Sequence, residues 1–216
     1  GSEMCIRDRL LSKQPFDLNI FGDSSLSKRP LRRVADPLSM MNAQFELSND
    51  EFLPAVIKAN TELNGITYHM PVASAQVKSA ILLAGIQAEG ESTIIEDLPS
   101  RDHTERMLRQ FGGQIKTDNG VITVKKQSKL SGQHVLVPSD ISSAAFFMVA
   151  GLITPNSEIT IKKVGVNPTR DGVIKLLERM GAEITQKPIA SDGEPLADIT
   201  VKAQTLHGIA ITAEDI

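Results

Sequence analysis

Apolar residues along this chain follow two rhythms. In "VASAQVKSAILLAG" (Val72 to Gly85) and "SSAAFFMVAGLI" (Ser142 to Ile153) they are nearly continuous and mixed with Ala, Ser and Gly, which predicts helices that pack closely in the middle of a domain. In "TERMLRQFGG" and "VIKLLERMGAEI" they recur every three or four positions beside a charged face, which predicts amphipathic helices nearer the surface. Short alternating runs such as "ESTIIEDL", "GVITVKK", "SEITIKKV" and "ADITVKA" read as half-buried strands.

The same order of parts recurs. "PLSMMNAQFEL", "MLRQFGGQIKT" and "LLERMGAEITQ" each join an apolar helix end to a small capping pair and a strand start, at a spacing of roughly 70 residues. Gly112-Gly113 and Gly181-Ala182 supply a left-handed turn at the helix end, and Asn42 is the next best residue for it. The repeating unit is helix, strand, helix, strand, strand, with "FDLNIF" and "NGITYHM" completing an earlier, shorter copy. That alternation defines an α/β fold class. In "HVLVPSDISSAA" a strand is expected to run into Pro138, followed by Ser139-Asp140 as a helix cap, which places a domain boundary near Pro138.

Bulk properties narrow the partners. A net charge of −3, a pI of about 5.8, 4% aromatic residues and no Trp give no footprint for nucleic acid. No run approaches the roughly 20 apolar residues of a membrane span, and a cytoplasmic protein without membrane contact is expected. The single Cys5 allows neither an internal disulfide nor a cysteine-based zinc cluster, and the four His lack paired ligand spacing, so no metal is implied. The opening "GSEMCIRDR" matches nothing that follows; Gly1 to Arg9 reads as a translated sequencing adaptor, or else as a genuine N-terminal tail.

Three polar clusters lie at predicted element ends, where ligands collect. In "GDSSLSKRPLRRV", Pro30 holds Arg29 extended before a helix whose N-terminus favours anions, a placement suited to gripping phosphate or carboxylate. Lys28, Arg29, Arg32 and Arg33 equally fit a solvated basic face. Ser74 and Gln76 fall in the first turn of their helix, where N–H groups and hydroxyls bind phosphate oxygens. Ordinary capping explains Ser74 as well, but leaves Gln76 without a task. Lys78 either adds a point charge there or snorkels outward. In "LPSRDHTERML", Ser100, Arg101, Asp102, His103 and Glu105 gather at a helix start with Arg101 as the anion contact. A capping box of Ser or Thr with a later acid is a commoner arrangement there than an Asp102–His103 dyad.

These stretches, with "DISSAAFFMVA" and "NPTRDGVIKLLERMGAEI", resemble the 5-enolpyruvylshikimate 3-phosphate synthase family, in one order from about Leu10 to Ile216. The resemblance implies the enolpyruvyl transferase fold, a two-domain inside-out α/β barrel of repeated βαβαββ units, here incomplete. It assigns residues 10–138 to most of the substrate-binding domain and residues 139–216 to part of the second domain. It implies addition of the 5-hydroxyl of shikimate 3-phosphate to protonated phosphoenolpyruvate, then expulsion of phosphate, with no cofactor and with a monomeric full-length enzyme. By the same resemblance Arg29 and Gln76 contact phosphoenolpyruvate, while Ser74, Ala75, Gln76 and Arg101 surround shikimate 3-phosphate. Some members carry a second serine at the position of Ala75 and a tyrosine at that of His103; the forms present here look like the second bacterial branch.

The resemblance also implies that the family's acid–base residues lie outside this chain, before Leu10 and after "ITAEDI". The isolated chain is therefore expected to be inactive; phosphate release from phosphoenolpyruvate that depends on shikimate 3-phosphate would contradict this. Two alternatives remain at this stage. One is the related UDP-N-acetylglucosamine enolpyruvyl transferase, whose reactive cysteine position is held here by Ser24. The other is a non-catalytic module that binds a phosphorylated metabolite.

Overall fold

The computed structural model describes residues 11–127 and 129–212. Gly1 to Arg9, with Cys5, lies outside them. The chain divides into two compact units between Gly132 and Gln133, a few residues before the seam expected at Pro138.

The first unit contains two sheets. In the smaller, β1 (Leu18–Ile20), β2 (Phe45–Ser48) and β3 (Phe52–Ile57) are antiparallel in the order β1-β3-β2. Between β1 and β2 come a 3-10 turn (Leu26–Lys28) and α1 (Arg32–Met40), whose buried face is Val34, Ala35, Pro37 and Leu38. The larger sheet joins β4 (Thr67–His69), β5 (Glu91–Ile95), β6 (Ile115–Asp118) and β7 (Val121–Lys125) in the order β4-β5-β7-β6. Two helices accompany it, α2 (Ala75–Gly85) and α3 (His103–Gln110). β4 and β5 are parallel, so the chain must cross over between them, and α2 is that crossover.

The second unit repeats the plan. α4 (Ile141–Ile153) and α5 (Gly172–Arg179) flank an antiparallel sheet of β8 (Glu158–Gly165), β9 (Ile184–Ile189) and β10 (Leu196–Lys202) in the order β8-β10-β9. In all three copies the strand before the amphipathic helix pairs with the last strand: β1 with β3, β5 with β7 and β8 with β10. All three also end their amphipathic helix alike: Ala43, Gly113 and Ala182 donate to the carbonyls of Leu38, Leu108 and Leu177 at 3.0, 2.7 and 3.0 Å. The preceding residues, Asn42, Gly112 and Gly181, have φ of 77°, 83° and 95°, the left-handed turn read from the sequence.

Helix and sheet meet through a glycine in two of the copies. A Cβ on Gly85 of α2 would lie 2.7 Å from Val124 of β7, and one on Gly151 of α4 would lie 2.7 Å from Val201 of β10. The main core of the first unit accordingly centres on α2, with Ala80, Ile81, Leu82 and Ala84 sealed against Ile94, Ile122 and Val124. Each large aliphatic side chain there contributes on the order of 1.5–3 kcal/mol.

Three expectations need correction. "NGITYHM" does not complete the first copy: its strand β4 pairs with β5 and opens the second copy as a full βαβαββ order. "HVLV" forms no strand; Val135, Leu136 and Val137 are exposed, and only Ser139 makes an isolated parallel bridge, to Val164. An alternating run becomes a strand only where a partner edge accepts its hydrogen bonds. α4 is covered on one face only, by Ile141, Ala144, Met148 and Leu152 against β8 and β10, while Phe146, Phe147 and Ile153 are exposed. Its N-cap is as expected, Asp140 accepting from the Ser143 amide at 3.1 Å.

A β-bulge in the second unit carries a testable charge. Between Ala197 and Ile199 the β8–β10 register shifts, and Lys163 sits at φ 54°. Asp198 holds that turn, accepting from the Lys162 ammonium at 2.8 Å and the Lys163 amide at 2.9 Å. The Lys162 hydrogen bond first, and the amide second, keep its carboxyl below the usual aspartate value of 3.8. A depressed carboxyl stabilises the fold above its unfolded pKa and loses that contribution as pH falls through the folded one. The Lys163 amide shift is therefore expected to titrate with a midpoint below 3.8; a midpoint at or above it would contradict the assignment.

Candidate functional site

The N-terminus of α2 is built by Ser74. Its backbone is extended, at φ −149° and ψ 100°, and its hydroxyl oxygen accepts from the Val77 amide at 3.3 Å. Capping is thus real, but it uses the hydroxyl only as an acceptor and leaves its O–H to donate. Ala75 follows at the first helical position, where an amide has no acceptor within the helix. Gln76 comes next and is half-buried. A helix start with amide donors, a hydroxyl and the positive end of the dipole suits an anion.

Arg101 lies two residues before α3, exposed, and its side chain makes no ion pair or hydrogen bond among the described residues. Arg29 is likewise exposed and without a side-chain partner among them; its backbone is extended, with φ −92° and ψ 128°, as expected before Pro30. The basic face around it is only partly solvated as single charges, since Arg32 pairs with Asp36 at 3.5 Å. Most other arginines are committed: Arg106 to Asp102, Arg109 to Thr117, Arg170 to Asp140 and Ser142. Arg29, Arg33 and Arg101 are the arginines left exposed without a side-chain partner among the described residues.

Lys78, whose role the sequence reading missed, ties α2, which begins at Ala75 after Ser74 and carries Gln76, to the loop that carries Arg101. Lys78 neither snorkels nor offers a point charge to a ligand: its side chain is 2% exposed and lies between Glu96 and Glu105, 2.9 Å from each. It also donates to the Ser100 carbonyl at 3.1 Å. Glu96 in turn accepts from the Ser100 hydroxyl. Ser79 on α2 and Thr104 on α3 share a second hydrogen bond, of 2.7 Å. Arg29 belongs to the same unit by way of α1, which packs on α2.

The capping box read at the start of α3 is not formed. Asp102 is the N-cap residue without a side-chain cap hydrogen bond, and its carboxylate accepts from Arg106 at 2.8 Å. Glu105, the third residue of the helix, turns inward to Lys78 instead of back to the cap, so no capping box closes. The signal for this arrangement was a lysine one turn into an otherwise apolar helix. Among the described residues no cluster of side chains is arranged to hold a metal ion.

Comparison with known structures places this architecture. The enolpyruvyl transferase NikO from Streptomyces tendae, at 17% identity, covers 90% of the chain and 45% of its own with a TM-score of 0.66, which shows the enolpyruvyl transferase fold. An EPSP synthase from Acinetobacter baumannii is 48% identical, covering 100% of this chain and 50% of its own with a TM-score of 0.90. The family model for EPSP synthase (3-phosphoshikimate 1-carboxyvinyltransferase) matches residues 9–216, and the chain belongs to that family. Curated relatives named 3-phosphoshikimate 1-carboxyvinyltransferase include those of Leuconostoc citreum, 68% identical over 207 residues, and Limosilactobacillus fermentum, 47% identical over 209. Each is matched over 96% of this chain and 48% of its own length, so the chain spans about half the length of these relatives.

Proposed function

We propose that the chain carries the shikimate 3-phosphate-binding surface, and part of the phosphoenolpyruvate site, of an enzyme that transfers the enolpyruvyl group to the 5-hydroxyl of shikimate 3-phosphate and releases phosphate. The observation that supports this reading is the capped start of α2 joined through Lys78 to the loop that carries Arg101, an exposed guanidinium without a side-chain partner among the described residues. In this reading Arg101 and the Ser74 hydroxyl donate to the phosphorylated ring, Ala75 contributes its amide rather than a side chain, and Gln76 reaches both substrates. Arg29 takes the phosphoenolpyruvate anion. The partners are these two small molecules, without cofactor or nucleic acid, in a monomeric cytoplasmic enzyme. No helix among the described residues is long and apolar enough to cross a membrane.

Calorimetric titration of the chain with shikimate 3-phosphate tests this, with UDP-N-acetylglucosamine as the competing ligand. Binding of the first alone is expected, weakened at least about tenfold by Arg101→Ala through loss of a charge-assisted hydrogen bond. Binding of the uridine diphosphate sugar, or indifference to Arg101→Ala, would overturn the reading.

A further inference from the structure

Lys78 places an ammonium where an apolar side chain would serve the core. It lies one turn after Ser74, and its backbone N–H donates to the Ser74 carbonyl at 3.0 Å. An ammonium has three N–H donors, and the three acceptors around Nζ are Glu96 Oε2 at 2.9 Å, Glu105 Oε1 at 2.9 Å and the Ser100 carbonyl at 3.1 Å. All three lie on the segment from the end of β5 to the first turn of α3, and that segment carries Arg101. The Ser100–Arg101 peptide is planar and trans, so a Ser100 carbonyl aimed at Nζ turns the Arg101 N–H away from it.

Resting on the reading of this surface as the shikimate 3-phosphate site, we infer that Lys78 is a positioning residue: with Glu96 and Glu105 it locks the Arg101 loop against the α2 N-terminus. With its donors taken, Lys78 does not touch the ligand and acts through Arg101. Core filling does not account for it, because a buried ammonium with two carboxylates is costly to desolvate and a methionine of similar volume would pack without that cost. What the ion cluster adds is direction. It holds one loop from both sides of Arg101, through the Ser100 carbonyl before it and Glu105 after it, whereas apolar packing would leave the peptide plane free to turn.

A double-mutant cycle in the chain, read as the Kd for shikimate 3-phosphate, tests this. Lys78→Met is expected to raise Kd about tenfold in the parent chain and less than about twofold in an Arg101→Ala background, because residues acting as one unit are not additive. Amide dispersion and Tyr68 fluorescence establish that each variant is folded. If Lys78→Met does not fold, Glu96→Gln, nearly isosteric with its parent, enters the same cycle with an expected rise of about threefold. Unchanged Kd in a folded variant, or effects that simply add, would overturn the positioning role while leaving the binding reading intact. A parent chain that does not bind shikimate 3-phosphate would overturn both.

Discussion

Lys78→Met is expected to destabilise the first unit by about 3–5 kcal/mol, the cost of leaving buried carboxylates without their cation. Glu96 and Glu105 have side chains only 4% and 3% exposed, and each stands 2.9 Å from Nζ, so neither has water to replace the ammonium. One oxygen of Glu105 is already buried without a hydrogen-bond partner among the described residues, which leaves that residue nothing further there to fall back on. Tyr68 is the single Tyr of a chain that has no Trp, and it lies on β4, so urea denaturation followed by tyrosine fluorescence reports the first unit by itself. Replacing the cluster as a whole, with Lys78→Met, Glu96→Leu and Glu105→Met, is expected to recover much of the loss, since an apolar set needs no compensating charge. An unchanged midpoint for Lys78→Met alone would show that the ion cluster is not held as described.

Gly65→Ala is expected to cost about 3 kcal/mol, toward the upper end for overpacking, because the obstacle is backbone. A Cβ at Gly65 would lie 2.2 Å from the Glu91 carbonyl oxygen and 2.6 Å from its carbon. Relief requires β4 to lift from β5, although the Gly65 amide donates to Glu89 at 2.7 Å and Thr93 donates to Ile66 at 2.8 Å across that seam. β4 leads directly into Ser74, so the Met70 and Ser74 amide resonances should move as well. A variant with the parent's urea midpoint and unshifted amides at these positions would contradict the close approach.

What could be read in advance follows from locality. Asn42, Gly112 and Gly181 declared their turns because a left-handed residue at a helix end is a demand on one position. The Ser74 cap and the extended Arg29 before Pro30 were legible for the same reason. β4 was assigned to the wrong copy because three residues of strand carry no mark of their partner, and its neighbour β5 begins more than twenty positions on. "HVLV" has the alternation of a strand, but alternation reports a half-buried face only when a sheet edge is present to receive it. Lys78 looked like a surface charge since its acceptors Glu96 and Ser100 stand 18 and 22 residues away, a distance at which no helical periodicity links them. Arg101 is read as an anion contact from its surroundings in "SRDHTE", whereas the ion cluster that ties down its loop appears only in three dimensions.

On the proposed reading, Ser74, Gln76 and Arg101 form one surface for shikimate 3-phosphate. Backbone amide NMR spectra of the chain, recorded through a titration with shikimate 3-phosphate, test it most directly. The account predicts saturable shifts concentrated at Ser74, Ala75, Gln76 and Arg101, with the second unit unaffected at Asp198 and Lys163. Saturable shifts centred elsewhere, or a dispersed spectrum that does not respond at any concentration, would contradict it.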